Sequence, residues 1–213
     1  MTTVISAKGK DFVVLGADSQ GTIDDKAGAR TELKNTIKLK KINNRVGVLY
    51  YDEVYVAEYL IDKFKSELKN DDDDVTKIAK DFKKMCINES LEHDSIQITR
   101  LPQVGFIMAG LDIKSKIEPK CFGMTSGSGY RLGKYPYGYG IEGKPFVAHY
   151  LFRRYYKPSM NKDELCKLVA QSIYDTKKVD GDVGGEIRLA IIDSSGWTDV
   201  PTADVYDEYI QKW

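Results

Sequence analysis

The chain has 213 residues, 42% of them hydrophobic and 30% charged, enough for one domain with a substantial core. Lys plus Arg number 32 and Asp plus Glu number 32, so no positive excess argues for nucleic acid as the main partner. With 2 histidines and 3 widely spaced cysteines (Cys86, Cys121, Cys166), the composition argues against a metal site and reads as free thiols in a reducing compartment.

The opening "MTTVISAKGKDFVVLGADSQGT" has no continuous apolar core of the kind a signal peptide needs, and no later run reaches membrane-spanning length. An intracellular, cytoplasmic protein that does not associate with membranes is expected. Residues 3–7 and 11–17 predict a hairpin around "KGK". "GTIDDKAGARTELKN" is polar and turn-rich and reads as a loop, and strands follow around "TIKLKKI" and "RVGVLYY". This opening reads as a meander.

In "DEVYVAEYLIDKFKSELKN", Val56, Tyr59, Leu60, Phe64 and Leu68 recur at helical spacing. Asp71–Asp74 supply an N-terminal cap and negative charge for a second helix over about 75–91, which puts Ile78, Phe82, Met85 and Cys86 on one face. "QVGFIMAGLD" and "PKCFGMT" return to strand. A glycine- and tyrosine-rich stretch follows, then helical patterns at "PFVAHYLFRRYY" and "KDELCKLVAQSIYDTKKV", a last strand "EIRLAIID" and a polar tail. The order predicts a single α+β domain over residues 1–213, with sheets packed together and helices in pairs.

Thr2 admits two readings. It is an ordinary polar start to a strand, or, once Met1 is trimmed, an N-terminal residue carrying a hydroxyl nucleophile and a free α-amine to serve as its base. An α-amine titrates near ~7.7, far closer to neutrality than a lysine at ~10.4.

The stretch "TTVISAKGKDFVVLGADSQGT" resembles the N-terminus of mature proteasome β subunits. It is similar also to the peptidase of the bacterial two-component ATP-dependent protease. "KLKKINNRVGV", "FIMAGLD" and "PFVAHYLFRRYYKPSMNKDELCKLVAQSIYDTKKVD" extend the resemblance over roughly residues 2–193. It implies the four-layer αββα sandwich of N-terminal-nucleophile hydrolases. It also implies a threonine peptidase working through an acyl-enzyme on Thr2, with no cofactor and no metal. The substrate would be a peptide or unfolded protein. A homo-oligomer, with a ring as one form, and a regulatory or ATPase partner follow from the same likeness. Two alternatives stay open: a non-catalytic subunit that keeps the fold for assembly, and a relative that passes the acyl group to an amine.

Carried over residue by residue, the resemblance puts the nucleophile on Thr2 and its acidic partner on Asp18. The lysine falls on Lys38 by the strand pattern and on Lys34 by ungapped counting. A second aspartate falls on Asp180. The departures are equally specific. Asp52 stands where the family has a glycine whose backbone N–H meets the oxyanion. Glu142 and Val183 stand where serines flank the nucleophile. Ser128, in "SGSG", is the alternative site serine, against a simple turn.

Overall fold

A computed structural model of the protein describes residues 2–24, 30–33, 35–69, 74–94, 103–113 and 116–210. The elements are β1 (Thr3–Lys8), β2 (Val13–Asp18), β3 (Gly21–Asp24), β4 (Arg30–Leu33), β5 (Leu39–Asn43), β6 (Val46–Asp52), α1 (Val54–Glu67), α2 (Val75–Asp94), β7 (Val104–Asp112), β8 (Glu118–Thr125), β9 (Gly133–Lys134), β10 (Tyr139–Gly143), α3 (Phe146–Tyr155), α4 (Lys162–Val179), β11 (Ile187–Asp193) and β12 (Gly196–Val200). Short helical turns occupy Ser126–Ser128, Thr202–Asp204 and Val205–Tyr209.

Two five-stranded antiparallel sheets form, ordered β10-β1-β2-β11-β12 and β5-β6-β7-β8-β9. The inner strands β1, β2, β6 and β7 are buried on both faces because each sheet is covered twice. On β2, Val13, Leu15 and Ala17 face the other sheet, meeting Leu49, Ile107 and Ala109, whereas Val14 faces Val169 and Ile173 of α4. On β6 the alternation repeats: Leu49 points between the sheets, and Val48 and Tyr50 point to α1 and α2. Phe82 of α2 closes that outer layer with edge-on contacts to Phe64 and Phe106, ring centroids 5.2 and 5.0 Å apart. The result is the αββα order, helix pair, sheet, sheet, helix pair. Among the described residues no helix is long and apolar enough to cross a membrane.

Several local readings need correction. The opening strands are not one meander, because β1 and β2 belong to one sheet and β5 and β6 to the other. The polar stretch after residue 20 contains a small two-stranded hairpin, β3 with β4, pairing Gly21 with Leu33 through Asp24 with Arg30. The polar tail holds a further strand, β12, with Thr198 and Asp199 exposed to solvent. In α1 the buried stripe is Ala57, Leu60, Ile61 and Phe64, while Tyr59 is 49% exposed: the apolar spacing was off by part of a turn. Asp71–Asp73 lie outside the described residues. Asp74 stands at the start of α2, its carbonyl accepting from the Ile78 N–H at 3.0 Å and its side chain from the Ile113 N–H at 3.2 Å. The three cysteines are free and buried.

Candidate active site

β1 and β2 run antiparallel with Val4 opposite Ala17, which brings the start of one strand beside the end of the other. Thr2 and Asp18 are therefore neighbours by register. β5 begins at Leu39, so Lys38 enters at the same end from the second sheet. All three side chains are buried, at 3%, 1% and 3% exposure.

The Thr2 hydroxyl donates to Asp18 Oδ1, and the Lys38 ammonium donates to Thr2 Oγ1 and to the Gln20 carbonyl. Lys38 Nζ also lies 3.0 and 2.9 Å from the two Asp18 oxygens. The Asp18 carboxylate accepts further bonds from the N–H groups of Thr3 (2.8 Å), Gln20 (3.1 Å) and Gly184 (3.3 Å). Each lone pair of this buried anion is thus directed at a donor, which is the condition for keeping a charge inside a protein. Burial lowers the pKa of Lys38, and the Asp18 charge opposes that shift. A hydroxyl held between an ammonium and a carboxylate can be deprotonated at lower cost than a free one, because the cation stabilises the alkoxide.

A small cleft of about 30 Å³ opens at this group, lined by Thr2, Gln20, Lys38, Tyr51 and Asp52 among others.

The sequence matches the proteasome subunit family over residues 1–192. This chain belongs to the proteasome subunit family of N-terminal-nucleophile hydrolases. It is 25% identical over 211 residues to proteasome subunit beta type-1 of Saccharomyces cerevisiae, covering 92% of this chain and 85% of that one. It is 27% identical over 208 residues to proteasome subunit beta type-6 of Dictyostelium discoideum, covering 92% and 86%.

Within this proteasome-family chain the other residues singled out in the sequence fall as follows. Lys34 lies outside the described residues. Asp180 ends α4 and has no hydrogen bond to Thr2. Its carboxylate accepts from the Asp182 N–H at 2.9 Å and pairs with Lys144 Nζ at 3.4 Å. Ser128 is exposed and bonded within its own turn, its hydroxyl donating to the Thr125 carbonyl at 3.0 Å. Val183 is buried. Glu142 is half-buried and accepts from the Tyr135 hydroxyl at 2.7 Å. Loss of water raises its pKa above the ordinary carboxyl value, and the charge of Asp52 adds to the shift.

Asp52 closes β6 with φ at 70°, the left-handed region in which glycine is the natural occupant. A backbone shape that favours glycine is thus held by a residue with a carboxylate attached to it. Loss of water raises the Asp52 pKa as well.

Four positions were missed from sequence. Gln20 contributes its carbonyl to Lys38 and its N–H to Asp18. Gly184 contributes an N–H to Asp18, and a Cβ there would run into the Gln20 side chain. Gly143, at φ 87°, passes so close to Thr2 that a Cβ would collide with the Thr2 carbonyl. The Lys144 N–H donates to that carbonyl at 2.7 Å. The glycine pair "GG" at 184–185 and the glycine of "EGK" were the available signals. A glycine in sequence does not disclose which backbone it must approach.

Proposed function

We propose that this chain is a threonine-type N-terminal-nucleophile peptidase that hydrolyses peptide bonds. The observation that supports it is the buried contact of the Thr2 hydroxyl with both the Lys38 ammonium and the Asp18 carboxylate. Once Thr2 is the terminal residue, its α-amine takes the hydroxyl proton as Oγ1 attacks the peptide carbonyl. The carbonyl oxygen becomes an oxyanion, met by a backbone N–H near residue 52. Collapse of that intermediate breaks the C–N bond, and the departing amine takes the proton. Water then cleaves the Thr2 ester by the same route, with the α-amine as base. Lys38 remains a cation that lowers the cost of the alkoxide, and Asp18 holds Lys38 in place. The substrate is a peptide or an unfolded protein segment. The chain works as a homo-oligomer in the ring-forming manner of proteasome β subunits, open to a regulatory or ATPase partner, in the cytoplasm.

A second reading, a non-catalytic subunit retained for assembly, draws support from Asp52, Glu142 and Val183, which stand where the family has a glycine and two serines. One experiment separates the two. The purified protein is weighed intact, then treated with a peptide bearing an electrophilic C-terminus. A peptidase loses the mass of Met1 and gains one adduct, mapped to Thr2. Thr2→Ala keeps its circular dichroism and its assembly, and loses hydrolysis on the order of 10³-fold or more. Full hydrolysis by Thr2→Ala would overturn the nucleophile assignment. A wild type that carries a free Thr2 and takes no adduct would favour the assembly subunit.

A further inference from the structure

The Lys144 main chain bonds to the nucleophile's carbonyl and to the side chain of the residue that follows it. Its N–H donates to the Thr2 carbonyl at 2.7 Å, and its carbonyl accepts from the Thr3 hydroxyl at 3.2 Å. Its side chain leads in another direction. Nζ stands 3.4 Å from Asp180 Oδ2 and 3.3 Å from Asp182 Oδ2, at the turn that follows α4. That turn is wound on itself: Asp182 N–H bonds to Asp180 Oδ1 at 2.9 Å and Val183 N–H to the Asp180 carbonyl at 3.1 Å. It also returns to the reacting group. Gly184 N–H donates to Asp18 Oδ2, the Gly184 carbonyl accepts from Ser19 N–H at 3.1 Å, and the Gly181 carbonyl accepts from the Gln20 side chain at 3.1 Å.

The contacts therefore close a ring. It runs from Thr2 to the Lys144 backbone, through the Lys144 ammonium to the 180–184 turn, from Gly184 to Asp18, and from Asp18 back to the Thr2 hydroxyl. The Lys144 ammonium is the side-chain link that joins the strand supporting the Thr2 carbonyl to the turn supporting the Asp18 carboxylate.

We propose that Lys144 is a positioning residue: its ion pair with Asp180 and Asp182 fixes the Thr2 main chain relative to Asp18 and Lys38, and so sets the aim of the Thr2 hydroxyl. This rests on the reading of Thr2 as nucleophile. The pair is about a quarter exposed, 26% for Lys144 and 28% for Asp180, so it adds little to global stability and its loss leaves the fold intact. Its effect lies in geometry, where a shift of about 1 Å in a reacting group can slow a reaction on the order of a hundredfold.

The test compares wild type, Lys144→Met and Lys144→Arg in two measurements. The first is the rate and affinity of Thr2 labelling by the electrophilic peptide, taken separately. Lys144→Met is expected to slow the bond-forming step by about tenfold to hundredfold with probe affinity unchanged, and Lys144→Arg to recover most of the rate. The second is amide hydrogen exchange, which needs no activity. Lys144→Met is expected to speed exchange at residue 144 and at Gly184, with the melting temperature and the exchange of α1 and α2 unchanged. Wild-type rate and wild-type exchange in Lys144→Met would overturn the proposal. A general loss of protection with a lowered melting temperature, not rescued by arginine, would reduce Lys144 to a structural residue and overturn it too. A wild type that never labels overturns the nucleophile reading alone. The exchange measurement then still decides whether Lys144 holds the two segments together.

Discussion

Asp52 combines a demand of the backbone with a charge that the proposed chemistry does not want. At φ 70° an aspartate is tolerated better than most residues, but glycine is free of the Cβ contact. Replacing it by glycine also loosens the unfolded chain, by about 0.5–1 kcal/mol, so the two effects nearly offset. Asp52→Gly is therefore expected to melt close to wild type. Its Thr2 labelling rate should be kept or raised, since a carboxylate beside a developing oxyanion opposes it. A large loss of labelling with intact assembly would mean that the Asp52 side chain, not only its backbone, serves the site. The carboxyl itself can be read by pH. Burial raises its pKa above 3.8, so it binds its proton more tightly in the folded chain than in the unfolded one. Its favourable contribution is full below the unfolded value and is lost as pH rises through the folded value. Asp52→Asn should thus gain stability relative to wild type as pH climbs from about 3 to about 7 in denaturant titrations. Parallel curves would remove the shift. Thr2, Asp18 and Lys38 were reached through the family resemblance, since pattern alone leaves each an ordinary strand-end residue; the structure brings the three side chains together. Asp180 was legible as a position and not as a contact. Its partner Lys144 lies 36 residues away with α3 and α4 between them, and the two meet only in space.

The elements were legible where periodicity was sustained. α4 shows why: its apolar face, Leu165, Val169 and Ile173, is buried throughout, and its start is marked by a reciprocal capping box. Asn161 Oδ1 accepts from the Glu164 N–H at 2.9 Å, and Glu164 Oε2 accepts from the Asn161 N–H at 2.9 Å. Asn161→Ala is expected to cost about 1 kcal/mol in urea unfolding. Because the far end of α4 leads into Asp180, the loss should leave Thr2 labelling unaltered under native conditions. A fall in labelling at constant fold would show that the helix start is coupled to the site. The illegible elements were short or half-solvated. β12 carries Thr198 and Asp199 outward, so its pattern is that of a polar tail. The β3–β4 hairpin pairs four residues with four, too few for alternation to rise above the polar composition. In α1 Tyr59 misled, since it stands on the outer face at 49% exposure.

At the scale of the molecule, the question is which surfaces are left for other subunits. The tyrosine-rich stretch Tyr130–Tyr139 suggests an interface by composition, yet most of its rings are wholly or partly buried. Tyr130 and Tyr139 are buried and the Tyr135 hydroxyl is turned to Glu142, leaving Tyr137 as the exposed ring of the group at 75%. Uncovered apolar area lies instead on the outer helix layers. On α3, Phe146 and Tyr150 are one turn apart, 85% and 60% exposed, with Tyr155 at 47% beyond them. Phe146 and Tyr150 share one face of α3, and two large exposed rings one turn apart make that face the candidate contact surface. The chain of 24.1 kDa is expected to sediment as a multimer at micromolar concentration. Phe146→Glu with Tyr150→Glu adds charge to that face without touching the core, so each subunit should keep its circular dichroism while the sedimenting species becomes smaller. If the double variant sediments as wild type, the α3 face is not the contact. If wild type itself sediments only as a 24 kDa monomer, the self-compartmentalised assembly falls, while the αββα fold and the Thr2 group within each subunit stand.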